Sequence, residues 1–475
     1  MNLGRSGLKG SAARKPRPAS GDRPRRKKQV FSLRKTASLL AEGLVLLSLL
    51  STGCGGNGGA TAPTPPVLRN LEHRLAAGDS HSVALDADGN IWSWGANHAG
   101  QLGNRTTEPS SRPIGVFGLS GATAVSACTG QSLALKGDCT VLAWGQNALG
   151  YIGADMIPVP VLCTPGYPLT ANVTAPVQVA GLDRMVQISA GFLYVVALRA
   201  DGTVWTWGSN SSGQLGIGAA ADHVCLPTQV AGLSGITAIA AGGSHALALK
   251  NDGTVWSWGD NSVGNLGNGT LIASNVPLQV AGLAGIRNIA ASDHSVALDS
   301  AGNVWSWGSN STGQVGNDRT EENCATVKVA YYTDACVKSP VRVEGLPAAE
   351  KIMAGSGVTY AIDKDGVVWG WGSSNQIGTT QSTSTCGMVR VTWPCIRFPL
   401  RQPQLAGFSS IVAGFTSNHA LSVKEDGFLW AWGNNSDAQL GDGSTIDSPL
   451  PVQVLGPTGS GRFNLDESYG ASSAM

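Results

Sequence analysis

Val255-Trp256-Ser257-Trp258-Gly259 is one of seven copies of a single phrase. The other copies end in Trp-Gly at Trp94, Trp144, Trp207, Trp307, Trp371 and Trp432, and of the 14 Trp residues only Trp393 lies outside them. Around each copy a longer phrase recurs, fullest in the fourth: Ile239-Ala-Ala-Gly-Gly-Ser-His245-Ala-Leu-Ala-Leu, then Asn251-Asp252-Gly253, then Gly264-Asn-Leu-Gly267 and Pro277-Leu-Gln-Val-Ala-Gly-Leu283. Successive second Trp positions are 50, 63, 51, 49, 64 and 61 residues apart. The unit is thus about fifty residues, with three longer copies. Self-similarity at such a period means that each unit is a small structural element stacked on its neighbours.

Inside a unit the apolar residues alternate with period two, as strands do. Ile236 to Ala241 reads as a first strand and His245 to Leu249 as a second, closed by the hairpin signal at Asn251-Asp252-Gly253. Thr254 to Trp258 is the third, and a late run around Gln279-Val280 the fourth. The two Trp rings of the third strand share a face. The residue between them is always small: Ser93, Ala143, Thr206, Ser257, Ser306, Gly370 or Ala431. A sheet with one bulky and one recessed face packs on copies of itself. Seven such four-stranded sheets arranged radially hide their faces from water, so the expected fold is an all-β, seven-bladed β-propeller. A linear solenoid would need polar end caps, and neither terminal repeat supplies one.

These phrases, from Ala77-Gly78-Asp79-Ser80-His81 to Gly100-Gln101-Leu102-Gly103 in the first repeat, resemble the repeats of the regulator of chromosome condensation family. The resemblance spans about residues 70–456 and implies a seven-bladed propeller. The second repeat departs most, with Leu142 at the first Trp, Gln131 at the His and Cys139 at the turn Gly. A light-sensing branch of that family carries Gly-Trp-Arg-His-Thr; the motif is absent here, so the Trp residues read as core.

Charge divides the chain. Residues 1–36 hold twelve Lys or Arg against Asp22 alone, and the chain beyond Cys54 carries 20 basic and 29 acidic residues, a net of −9. Such a balance argues against a nucleic-acid partner. The apolar stretch Ala37 to Leu50 is too short to span a bilayer. It is followed by Ser51-Thr52-Gly53-Cys54, which resembles a bacterial lipoprotein signal whose Cys54 is lipidated after cleavage. The chain therefore divides into a signal segment with a basic lead (1–54), a Gly/Pro-rich tether (55–69), the propeller (70–456) and a polar tail (457–475). The alternative is a cytoplasmic protein with an uncleaved basic tail.

His81, His245, His294 and His419 share one phase of the repeat, with Gln131, Tyr194 and Val358 in the other three. That phase points to a structural role, a polar group capping the turn between the first two strands, and no metal site is expected. Asp86, Asp88 and Gly89 resemble the start of a calcium loop but lack its closing Glu, so they read as a hairpin turn. No nucleophile elbow, zinc helix or phosphate loop occurs. A non-enzymatic protein without a cofactor is expected.

Eight cysteines remain beside Cys54, an even number that implies disulfides in an exported chain. Cys324 with Cys336 and Cys386 with Cys395 each bracket a short segment. Cys163 and Cys225 occupy equivalent loops of neighbouring blades, which leaves Cys128 and Cys139 as a pair or as free thiols. The extra residues of repeats two, five and six all enter between the third and fourth strands, hence on one face of a propeller. Loops on a rigid scaffold carry function. Tyr331, Tyr332, Arg390, Trp393 and Arg397 of repeats five and six are candidates for one partner-binding patch, aromatic and Arg side chains being typical anchors; alternatively these rings fold onto their own blades.

The expectation is an exported, monomeric scaffold, anchored through an N-terminal lipid to the outer membrane of a bacterial envelope, that presents a loop-rich face to a protein or glycan. The resemblance implies two alternatives: a secreted inhibitor of a β-lactamase-like enzyme, and a guanine-nucleotide exchange factor.

Overall fold

The computed structural model describes residues 73–147, 150–153, 172–317, 335–388, 391–415, 418–458 and 461–469, with backbone only at 375, 387, 388 and 391–393. The signal segment and tether lie outside the described residues. What is described is all β: seven antiparallel sheets, each built from one repeat, with strands in chain order from the inside outward except in the sixth repeat, where the last two exchange places. Six sheets have four strands and the sixth has five. Blade 4 is representative, with strands Ile236–Ala241, His245–Lys250, Val255–Gly259 and Ser274–Gln279.

Its first three strands fall within a residue of the expectation; the fourth does not. Val280 follows the strand, is buried, and donates its N–H to the Val255 carbonyl. The strand itself, Ser-Asn-Val-Pro-Leu-Gln, is largely exposed at the blade's outer edge, so it lacks the apolar alternation that marks the inner three.

The second Trp of every copy is fully buried. Its indole points back to the preceding blade, where the N–H reaches a backbone carbonyl: Trp258 donates to Gln214 O at 2.9 Å and Trp144 to Gln101 O at 2.9 Å. The ring lies on the final Gly of the preceding Gly-Gln-Leu-Gly. A Cβ built on Gly216 would stand 2.7 Å from Trp258 Cδ1, and the φ there is +66°. Small residues between the paired Trp also serve their own blade, since Ser257 Oγ donates to Leu266 O.

The ring closes by the same contacts. Trp94 of blade 1 donates to Gln439 O of blade 7 at 2.9 Å, and the inner strand of blade 1, Leu75–Ala77, lies against two strands of blade 7, Phe408–Ala413 and His419–Lys424. Within the polar C-terminal stretch, Phe463 and Leu465 are fully buried in this seam. Phe463 sets its ring edge-on to Trp92 and Trp94, with centroids 6.0 and 6.3 Å away. Buried Arg74 donates to the backbone of Leu465 and pairs with Asp466 at 3.0 Å. The repeat pattern gave no sign of this strap.

Candidate functional site: the loop-bearing face

Antiparallel order places the turn between the first and second strands and the loop between the third and fourth at the same end of a blade. Seven turns and seven loops therefore share one face, and the strands flanking the long segments of repeats two, five and six open onto it.

The turns are laced together around a central channel of about 210 Å³ lined mainly by small residues such as Ala76, Ala127, Ala190 and Ala241. Asp79 and Thr129 exchange bonds between blades 1 and 2, with Thr129 N–H donating to Asp79 Oδ1 at 3.1 Å. Phe192 N–H donates to Gly243 O, Gly243 N–H to Ser292 O, and Gly357 N–H to Asp293 Oδ2. Across the mouth, Phe192 of blade 3 meets Phe415 of blade 7, with ring centroids 6.2 Å apart. Phe415 also fills the space over Gly243, where a Cβ would collide with it. Sequence reasoning missed this aromatic plug. Its signal is that both rings directly follow an Ala-Gly at the end of an inner strand.

The phase-matched histidines hold neighbouring blades together rather than capping their own turns. Nε2 of His81 lies 2.8 Å from Ser132 Oγ of blade 2, and Ser132 Oγ donates to Gln101 O. A hydroxyl that has given its proton accepts the next one, so His81 donates from Nε2. His245 with Ser295, His294 with Thr359 and His419 with Ser82 repeat the arrangement. Burial holds the imidazoles of His81, His245 and His419 neutral, pulling each down to about 3. Burial also raises the Asp79 carboxyl to about 6.

The Asp86 carboxylate accepts from the N–H groups of Asp88 and Asn90 and from the indole of Trp92. It thereby ties the hairpin turn to the first Trp. Asp299 and Asp363 do the same for Trp305 and Trp369. Among the described residues no three His, Cys, Asp or Glu side chains converge as a metal would need.

In every blade but the sixth a buried Asn stands two residues after Trp-Gly, at the start of the loop (Asn97, Asn147, Asn210, Asn261, Asn310 and Asn435). Asn261 Nδ2 donates to the carbonyls of Thr270 and Ile272, and its Oδ1 accepts from Leu266 N–H. Blade 6 has Ser374 there, and Ser374 Oγ donates to Pro394 O. With the shorter clamp its loop runs into a hairpin: Ser384–Met388 pairs with the long strand Val391–Arg401, joined by the expected Cys386–Cys395 disulfide. Arg397 is exposed on this hairpin and donates from Nη2 to Thr385 O at 3.2 Å. Of the rest of the candidate patch, Tyr331, Tyr332 and Arg390 lie outside the described residues, as does the side chain of Trp393.

Cys163 and Cys324 also lie outside them, while Cys139, Cys225 and Cys336 are disulfide-bonded. Cys128 is a free, buried thiol. A Cys128–Cys139 bridge is therefore not formed, and the even count misled because Cys128 sits inside the channel wall.

An RCC1-like domain pattern matches residues 44–341, and a regulator of chromosome condensation (RCC1) repeat matches residues 426–464. The chain is 28% identical to the Arabidopsis thaliana ultraviolet-B receptor UVR8 over 444 residues, covering 87% of this chain and 88% of that one. It is also 28% identical to Homo sapiens E3 ubiquitin-protein ligase HERC2, covering 94% of this chain but only 7% of that protein. Among solved structures it resembles yeast RCC1 (Prp20) bound to Kap60, with a TM-score of 0.65 at 22% identity over 85% of this chain and 90% of that one. It also resembles human WBSCR16, with a TM-score of 0.62 at 20% identity over 78% and 94% of the two chains. At these identities the two structures speak for the fold alone.

Proposed function

Because the chain belongs to the RCC1-like domain family, we propose that it acts as a non-enzymatic binding scaffold, held at a bacterial cell envelope by a lipid on Cys54, whose loop-bearing face takes a protein or glycan partner. The observation that carries the binding reading is the division of labour within the ring. Buried Trp, His, Asn and Asp side chains are committed to holding blades and loops in place, as Trp258, His245, Asn261 and Asp299 illustrate. The extra residues of repeats two, five and six enter loops that open on one face. A rigid frame with variable loops is suited to recognition. The solved structure of yeast RCC1 (Prp20), which shares this fold, is of that protein with Kap60 bound. Support for the anchor comes from the basic lead, apolar segment and Cys54 in the sequence.

Two experiments test this reading. Labelling of producing cells with an alkynyl fatty acid should mark the wild type and not Cys54→Ala; equal labelling, or none in either, rules out the anchor. A photo-crosslinking residue at position 397 should capture a discrete partner that the same residue at Asp252, on the opposite face, does not. A one-to-one adduct with a hydrolase that it silences would instead favour the inhibitor reading.

A further inference from the structure

The two faces of the ring balance charge differently. On the face opposite the long loops, carboxylates find basic partners: Lys136 reaches Asp138 at 2.8 Å, Lys250 reaches Asp252 at 3.2 Å and Arg199 reaches Asp183 at 2.9 Å. On the loop-bearing face no carboxylate pairs with a Lys or Arg among the described residues. Its central turns hold Asp79 and Asp293. The loops of blades 3, 4 and 7 hold Asp222, Asp260, Asp437, Asp442 and Asp447, and none of these turns and loops contains a Lys or Arg. The described basic residues at the rim, Arg105, Arg112, Lys338 and Arg397, belong to blades 1, 5 and 6. Counted by sequence, the long segments of repeats two, five and six add five acids and three bases, so the balance stays acidic whatever their placement.

The acidic loops of blades 3 and 4 stand across the mouth of the channel from those of blade 7, and the Phe192–Phe415 pair bridges the gap. Gly243, which the Phe415 ring covers, donates its N–H to Ser292 O. The Ser292 hydroxyl is buried in the channel wall without a hydrogen-bond partner among the described residues, and such an orphaned group needs an explanation. Aromatic faces, nearby carboxylates and an unclaimed oxygen are what an ammonium or guanidinium group binds. Ile272 and Ile446, in the acidic loops of blades 4 and 7, are 73% and 75% exposed. The same strip thus offers apolar contacts that a simple polyamine could not use.

We propose that this strip takes a basic segment of a partner protein, with one Lys or Arg side chain seated at the Phe192–Phe415 mouth beside Ser292. The carboxylates steer and select the partner, and the central rings anchor it. A second copy of this chain is a poor occupant, because two acidic faces repel. The proposal rests on the partner-binding reading above and narrows the partner to a protein with positive charge.

The test uses the full chain and fluorescence anisotropy with labelled peptides of about twelve residues, built from Lys-Leu-Ser, Gln-Leu-Ser or Glu-Leu-Ser repeats. The Lys peptide should bind saturably and more weakly as salt rises. The Gln peptide should bind at least about tenfold more weakly, and the Glu peptide not at all. Asp222→Lys combined with Asp437→Lys should cost the Lys peptide at least about tenfold, while Glu344→Lys on the opposite face should leave its affinity unchanged. Phe192→Leu, checked for an unchanged melting temperature, should weaken it about threefold. Equal binding of the Lys and Gln peptides overturns charge selection and favours a neutral occupant such as a glycan. An equal loss in Glu344→Lys overturns the assignment to this face, and an unchanged affinity in Phe192→Leu overturns the seating at the mouth. Crosslinking from position 397 judges the scaffold reading separately.

Discussion

His419, on the second strand of the last blade, lies 2.9 Å from Ser82 Oγ on the second strand of the first. Ser82 in turn donates to Gln439 O, the carbonyl that also receives the indole of Trp94. The joint between the two ends of the array is thus made from the parts used at the internal joints. What distinguishes it is the strap carrying Phe463.

Phe463→Ala should therefore destabilise the domain by about 3–5 kcal/mol, as expected for emptying a buried aromatic site. Chemical denaturation followed by Trp fluorescence would measure it. A change below about 1 kcal/mol would mean that the ring closes without the strap.

Glycines of similar backbone conformation should differ widely in cost. Gly216 and Gly232 both have positive φ, +66° and +80°, but a Cβ at Gly232 meets nothing within 4 Å, whereas at Gly216 it meets the Trp258 ring. Gly232→Ala should cost about 1 kcal/mol, from backbone strain alone. Gly216→Ala should cost about 2–3 kcal/mol more, because the indole must leave its carbonyl partner or the blades must part. Urea midpoints of the two variants give the comparison.

Stability should fall on acidification below about pH 6.5. Unfolded imidazoles titrate near 6.5, while those of His81, His245 and His419 are held down to about 3 in the fold. Between those values the unfolded chain binds more protons, so the contribution is complete above the upper limit and is lost as pH drops towards the lower. Asp79, raised from 3.8 to about 6, acts in the opposite sense between those two values. Three imidazoles outweigh one carboxyl, with a slope on the order of 1 kcal/mol per imidazole per pH unit. Replacing all three with Gln, the residue blade 2 already has at Gln131, should flatten the slope between pH 6 and 4 in denaturation series. An unchanged slope would show that these imidazoles already ionise in the fold.

Cys128 should resist alkylation in the native protein. Burial and the nearby Asp79 push its thiol up to about 12, so almost no thiolate exists at neutral pH. Iodoacetamide should leave it unmodified until urea opens the ring, as peptide mass mapping would show. Rapid native labelling would mean that the channel admits reagent.

What the sequence determined by itself was whatever repeats. Six copies of Trp-x-Trp-Gly and a seventh with Leu142 at the first Trp, with period-two alternation and hairpin turns that mostly read Asp-Gly, required small antiparallel sheets of one design. The requirement is local, because side-chain alternation and turn chemistry are set by neighbouring residues. The structural reading of the histidines was also legible from their common phase, although their partners were not. His81 meets Ser132 fifty-one residues away, a contact that exists only once two blades stand side by side. Tertiary structure alone decided the features that occur once: the Phe192–Phe415 plug, the buried strap at Phe463 and the free thiol of Cys128. Each depends on residues distant in sequence meeting at one place around a closed ring, and no periodic signal records such a meeting.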